Sequence, residues 1–409
     1  MKLLLKLAAR NLWRNSRRTI ITILAVMFAT LFSIAMRGVQ LGTYEENISY
    51  ALGLFSGYIQ IQAPGFQENP SLHKTFRIDG SITRTLSAIP GITGWTPRIY
   101  ADGLVSFRSN SLGASLFGID PDRERAVSTL QKKVREGRFL LSDTSANIVL
   151  GQTLMENLKA AVGDTLVILG QGYDGTLGNA LFRIAGTVKT GSPEFDAMGV
   201  FIGLSRLRSL LEMGDRIHVI AISLSSVYDV PTVANRLRGS LDTSRVTVLP
   251  WQQVMPDLKQ SIDLDNISGM IFLGILIVVV AFGILNTVLM SVTERFREFG
   301  VLLSLGMPQT TLVAIVFLET VIITLIGIIA GNILAVGVNY YLVVHPIEFS
   351  GDYAAMMQQY GFLPSIRSSL KLSSFFNTSI SVVIIALLST IYPLYRTYKL
   401  EPLKGIRYT

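Results

Sequence analysis

The sequence predicts a membrane protein in which an α-helical domain of four transmembrane spans carries one large extracytoplasmic α+β domain. Three observations predict this class. Mean hydropathy is +0.45, with 49% hydrophobic and only 16% charged residues, which is too apolar for an ordinary soluble chain. Four apolar runs are long enough for a hydrocarbon core that takes roughly 20 helical residues to cross. Between the first two lies a polar stretch of about 230 residues, which is ample for a folded domain.

The chain divides in order. Residues 1–18 read as an amphipathic helix, with Lys2, Lys6, Arg10 and Arg14 every four positions, Leu4, Leu7, Ala8 and Leu12 on the other side, and Trp13 at interfacial depth. Residues 19–37 are the first span, read as a retained anchor because no small-x-small cleavage site follows cleanly. Residues 38–266 form the large domain, 267–292 the second span, 293–309 a short charged loop, 310–344 the third span, 345–371 an outer loop, 372–395 the fourth span and 396–409 a tail.

Charge sets the orientation. Lys2, Lys6, Arg10, Arg14, Arg17 and Arg18 precede the first span without an acid, and Arg396, Lys399, Lys404 and Arg407 follow the last against Glu401 alone. The positive-inside rule puts both ends in the cytoplasm and residues 38–266 outside. That domain is nearly neutral, so the net charge of +8 belongs mostly to the cytoplasmic face and points to anionic lipid, not nucleic acid. With no cysteine, the chain excludes disulfides and thiolate chemistry.

Inside the large domain, strand–helix–strand patterns occur at 58–100 and 217–250. They flank a middle, 101–216, rich in strands and glycine turns. The expected strands include 96–100 and 104–108, and a helix is expected at 152–161. The economical arrangement is one α+β subdomain built from the flanks with a second inserted between them.

Catalytic signatures are missing. There is no GxxxxGK[ST], so ATP hydrolysis on this chain is not expected, and there is no HExxH or GxSxG. His73, His218 and His345 are scattered, which gives no metal site. Asp120, Asp122 and Glu124 sit where a strand enters a helix, as capping acids do. Glu194 and Asp196 in GSPEFDAMG read either as an acid pair or as solvated loop acids.

The loop TERFREFGVLLSLG, residues 293–306, is the strongest functional candidate. Glu294, Arg295, Arg297 and Glu298 keep it in water. A short helix there offers Phe299, Leu302, Leu303 and Leu305 to a partner or to lipid, before a turn at Gly306 and Pro308. Glu319 is the one acid deep in a span, about 13 Å at helical rise beyond Thr310. Pairing with Asn286 or Thr287 is expected for it. Gly327, Gly331 and Ala335 make a small-residue strip that permits close helix packing.

With these segments placed, the chain resembles the permease subunits of the FtsX/MacB/Lol-type class of ABC transporters. The resemblance rests on LAARNLWRNSRRTIITILAV, NIVLGQTLMENLKAAVGDTLVI, SVTERFREFGVLLSLGMPQTTLVAIVFLET and IYPLYRTYKLEPLKGIRY, which cover essentially the whole chain in order. It implies a bacterial inner-membrane protein whose periplasmic domain has porter-like (58–100, 217–250) and Sabre-like (101–216) parts. It implies no catalytic site here, with ATP and Mg held by a separate ABC ATPase dimer that grips Glu294, Arg295, Arg297, Glu298, Leu302, Leu305 and Gly306. It further implies a second permease subunit, identical or homologous. The stretch FRIAGTVKTGSPEFDAMGVFIGLSRLRSLLEM on a chain without a fused ATPase looks most like the lipoprotein-releasing branch. Acyl chains would then enter beside Phe28, Phe32 and Met36 of span 1 and Met270, Phe272, Leu273 and Ile277 of span 2, with a periplasmic lipoprotein carrier as acceptor. The rival expectations are a mechanotransmission permease for drug, peptide or polysaccharide export and an FtsX-like scaffold controlling a periplasmic cell-wall hydrolase.

Overall fold

The computed structural model describes residues 2–14, 16–359 and 363–399. Lys404 and Arg407, part of the basic tail, lie outside the described residues. The chain forms two units. One is helical, residues 1–44, 262–348 and 365–409. The other is α+β, residues 45–261 with 349–364.

Among the described residues, four helices are long and apolar enough to cross a membrane. Span 1 begins in the helix Ser16–Ala51, which a π-helical turn, Leu52–Ser56, extends. Spans 2, 3 and 4 lie in Pro256–Glu294, Gln309–Val344 and Leu372–Tyr398. Each outruns its apolar core, because helical hydrogen bonding continues wherever neighbouring residues allow it. The N-terminal helix Lys2–Arg14 packs on span 3. Its Ala8 is fully buried, while Lys6, Arg10, Trp13 and Arg14 stay exposed. On the expected apolar side, Ala8 therefore meets protein, and Leu7 and Leu12 are half-buried.

The small-residue strip of span 3 faces span 1. A Cβ added at Gly327 would lie 2.7 Å from Val26 Cβ, and one at Gly331 would lie 2.7 Å from both Thr30 Cβ and the Met27 carbonyl. Ala335 packs beside Ile34, both fully buried. The half of the bundle next to residues 293–309 closes over Val280, Ile284, Val288, Val292, Phe296, Phe299, Leu312 and Val316. Polar ties cross the helices: Thr22 Oγ1 to Thr287 Oγ1 at 3.1 Å, and Asn332 Nδ2 to Ser379 Oγ at 2.9 Å.

The α+β unit is built on one ten-stranded sheet. At one edge, Thr247–Pro250, Ile59–Gln62 and Val219–Leu224 pair antiparallel, and Val219–Leu224 then pairs with the long strand Ile92–Phe107. That strand continues into Asn110–Ile119, Gly199–Gly203, Asn147–Gly151, Leu177–Val188 and Val134–Gly137. Thr165–Gln171 joins both the long strand and Leu177–Val188.

Ile59, Ile61, Ile220 and Ile222 are fully buried. Two helices pack by this end of the sheet, Gly80–Ala88 through Ile82 and Leu86, and Val230–Ser240 through Val233 and Leu237, the spacings of one apolar helix face. The strands expected at 96–100 and 104–108 are one strand. It crosses residue 100 without a break, so the flanking and middle parts share one sheet. The expected helix 152–161 stops at Leu158, where Lys159 takes a left-handed conformation (φ 57).

Asp120 accepts hydrogen bonds from the Asp122 and Arg123 amides, the expected cap. Glu124 does something else: it runs inward to the fully buried Arg98. Arg98 Nη2 and Nε reach its two oxygens at 2.6 and 3.1 Å, and Nη1 donates to the Phe55 carbonyl. Two partners for the guanidinium fork offset the cost of burying it.

Candidate functional site

The charged loop folds as the helix Phe296–Ser304. Its stop is written in the sequence. Gly306 takes φ 91, its amide donates to the Leu303 carbonyl, and the Met307 amide donates to the Leu302 carbonyl. This is the paired Schellman closure, which needs a residue at positive φ and so favours glycine. Pro308 then begins the turn into span 3.

The helix has two faces. Phe299 and Gly300 are buried, and Leu302 and Leu303 pack on the bundle core. Arg297, Val301, Ser304 and Leu305 are exposed, Leu305 by 79%. Those positions recur at i, i+4, i+7 and i+8, one stripe of an α-helix. Of the apolar residues expected to face a partner or lipid, Leu305 is exposed, Leu302 and Leu303 are half-buried and Phe299 is buried. Phe299, Leu302 and Leu303 anchor the helix instead. Val301 was missed. It lies four residues from both Arg297 and Leu305, so helical counting from either would have found it.

The charges are also redistributed. Arg295 is not a free contact, for its side chain is 9% exposed. Its Nη1 lies 2.9 and 3.0 Å from the Glu319 oxygens, and its guanidinium sits 4.8 Å from the Phe299 ring centroid. Glu319 Oε1 also accepts from Asn11 Nδ2 at 2.8 Å. The expected partners Asn286 and Thr287 are therefore replaced by Arg295 and Asn11. Glu294 and Glu298 are tied as well, to Arg18 and Arg14, each at 2.6 Å. These outer pairs are part-exposed and individually worth little, about 0–1 kcal/mol. The buried one is structural: it joins the short helix, span 3 and the N-terminal helix through one carboxylate.

A second feature lies in the helical unit, where span 2 begins. A pocket of about 320 Å³ is lined by the apolar side chains of Met36, Leu41, Met270, Phe272, Leu273 and Leu276. Arg37, Lys371 and the hydroxyls of Ser373, Ser374 and Ser381 line it as well. It gathers Met36, Met270, Phe272 and Leu273 from the residues predicted for acyl chains, and adds span 4 as a wall. It does not gather Phe28 and Phe32, which stack on each other 6.2 Å apart on an exposed face. Ile277 lines a separate, far smaller gap beside Ala29, Val280 and Val382.

Family models match both parts of the chain: a MacB-like periplasmic core domain over residues 19–240, and an FtsX-like permease C-terminal domain over residues 270–402. The first alone spans more than half of the sequence. The chain belongs to the FtsX/MacB/Lol class of ABC transporter permeases. Among relatives of this permease, the lipoprotein-releasing system transmembrane protein LolC of Xylella fastidiosa is 22% identical over 78% of each chain. The LolC of Neisseria meningitidis is 23% identical over 78% of this chain and 79% of its own. The macrolide export ATP-binding/permease protein MacB of Aggregatibacter actinomycetemcomitans is 24% identical over 78% of this chain, which spans half of that protein. The solved periplasmic region of MacB from Actinobacillus actinomycetemcomitans aligns with 53% of the permease and 98% of that structure, at 18% identity and a TM-score of 0.38.

Proposed function

We propose that this permease extracts lipoproteins from the outer leaflet of a bacterial inner membrane for delivery to the outer membrane. Both termini are cytoplasmic and the α+β unit is periplasmic. A separate ABC ATPase dimer binds ATP and Mg and docks on the exposed stripe Arg297–Val301–Leu305. A second permease subunit completes the complex, and a periplasmic carrier receives the cargo.

The observation that supports the cargo most is the pocket where span 2 begins. Its apolar lining of methionine, leucine and phenylalanine suits acyl chains, because methionine adapts to irregular apolar shapes. Its cationic and hydroxyl lining suits the polar linkage beside them. Relatives named for lipoprotein release, alignable over most of both chains, support the same reading. Relatives named for macrolide export favour a second one, transfer of a drug-like cargo.

The test is gentle-detergent purification followed by mass spectrometry. Acylated proteins should copurify, and Phe272→Asp should remove them while the complex stays assembled. Copurification of no acylated protein by an intact complex would reject lipoprotein extraction. Orientation is tested independently in the cysteine-free chain: an impermeant maleimide should label Ser240→Cys in spheroplasts and spare Ser304→Cys.

A further inference from the structure

The α+β unit holds a cleft of about 620 Å³ that the lipoprotein reading does not use. Its size falls within the range of small-molecule sites. It is built on one face of the sheet. Gln60 and Gln62 sit two residues apart on Ile59–Gln62, and Tyr100 and Asp102 two apart on the long strand. Phe117 and Ser115 stand across from Tyr100 and Asp102 in register. Phe55, Phe66 and Phe195 close over the remaining sides.

Three properties define what fits. The first is aromatic. Phe55, Tyr100, Phe117 and Phe195 form one packed cluster, with centroids 5.2–6.1 Å apart for the pairs that Phe55 makes. The second is an acceptor with no donor. Gln62 is 1% exposed and spends its Nε2 on Gln60 and Gln67, while its Oε1 accepts a hydrogen bond from no group among the described residues. A buried acceptor left alone is costly, so an N–H or O–H donor is wanted there. The third is charge. Asp102 and Glu194 stand at the rim without an ion pair among the described residues, and no lysine, arginine or histidine lines the cleft.

From this juxtaposition we infer that the cleft binds an amphipathic organic cation: a flat apolar body against the aromatic cluster, an N–H donor toward Gln62 Oε1, and positive charge beside Asp102 and Glu194. Aromatic faces and unpaired carboxylates attract a cation and repel an anion of the same size.

The absence of native cysteine gives a clean test. Ser115→Cys places one thiol in the cleft, and Ser240→Cys places one on an exposed helix end of the same unit. Maleimide labelling of the full-length permease in lipid nanodiscs is timed with rhodamine 6G, a cation bearing N–H groups, or with fluorescein, an anion of similar size. Rhodamine 6G should slow labelling at residue 115 and leave residue 240 unchanged, and fluorescein should affect neither. Asp102→Asn with Glu194→Gln should raise the half-protective concentration about fivefold, as loss of a modest cation contact does. No protection at residue 115, equal protection by fluorescein, or equal protection at residue 240 would overturn the proposal. The lipoprotein reading is judged separately by copurification and stands or falls without this result.

Discussion

Replacing Glu319 with leucine should uncouple the short helix Phe296–Ser304 from the bundle. The mutation leaves the Arg295 guanidinium buried with its main counter-charge gone, and takes from Asn11 the acceptor it holds at 2.8 Å. Losing one partner of a buried pair costs about 3–5 kcal/mol, because the other charge stays desolvated and unpaired. Arg295→Met should cost a similar amount for the mirror reason. The double variant, Arg295→Met with Glu319→Leu, removes both charges and should recover most of the loss, so the two single costs should fall far short of adding in a double-mutant cycle. The assay is equilibrium unfolding of the purified permease in mixed micelles of rising SDS fraction, run on all four proteins. A functional readout accompanies it: ATPase copurification should fall in Glu319→Leu although Arg297, Val301 and Leu305 are untouched. Single effects that add within about 0.5 kcal/mol would refute the reasoning, since they would mean the two groups do not interact.

Three further outcomes are expected. Leu305→Asp should abolish ATPase copurification without shifting thermal stability, because the side chain is 79% exposed and its burial at a partner is worth roughly 1.5–3 kcal/mol; Leu302→Asp should lower stability as well, since Leu302 packs on the core. Gly331→Val should destabilise the helical unit by about 1–3 kcal/mol, measured in the same SDS titration, because its Cβ would lie 2.7 Å from the Met27 carbonyl. His218 is fully buried, accepts from the Tyr100 amide and faces the Leu72 carbonyl, and burial pushes its pKa from 6.5 down to about 4. The unfolded chain therefore binds the extra proton between those values. Stability is whole above pH 6.5 and falls by about 3 kcal/mol as pH drops to 4, and His218→Gln should flatten that slope in hydrogen exchange of residues 216–224.

The spans, the short charged helix and its glycine stop were legible in the sequence because each is written locally, in hydropathy over twenty residues or in dihedral demand at one position. What the sequence concealed is long-range. Arg295 and Glu319 are 24 residues apart and Asn11 is 308 from Glu319, so nothing in the local pattern marks Arg295 as an inward residue. Once it is inward, the helix turns with it, and Val301 replaces Leu302 on the open face. The long strand Ile92–Phe107 was read as two for a different reason. Gly103 looks like a break, but a Cβ there would meet the Leu169 carbonyl at 2.7 Å. The glycine lets Thr165–Gln171 approach closely, and pairing with three neighbouring strands holds the backbone straight through it.

Val26, Thr30 and Ile34 set four-residue steps along span 1, and Gly327, Gly331 and Ala335 set the same steps along span 3. All three knobs are β-branched and therefore stiff in a helix. Half a step of sliding would drive a stiff branch into the wall between two notches. A full step, about 6 Å for four residues, would bring Thr30 to Gly327 and Ile34 to Gly331, shape against shape again. The two helices thus resemble a rack with teeth: they tilt or move together, or they jump a whole tooth, and gradual creep is forbidden.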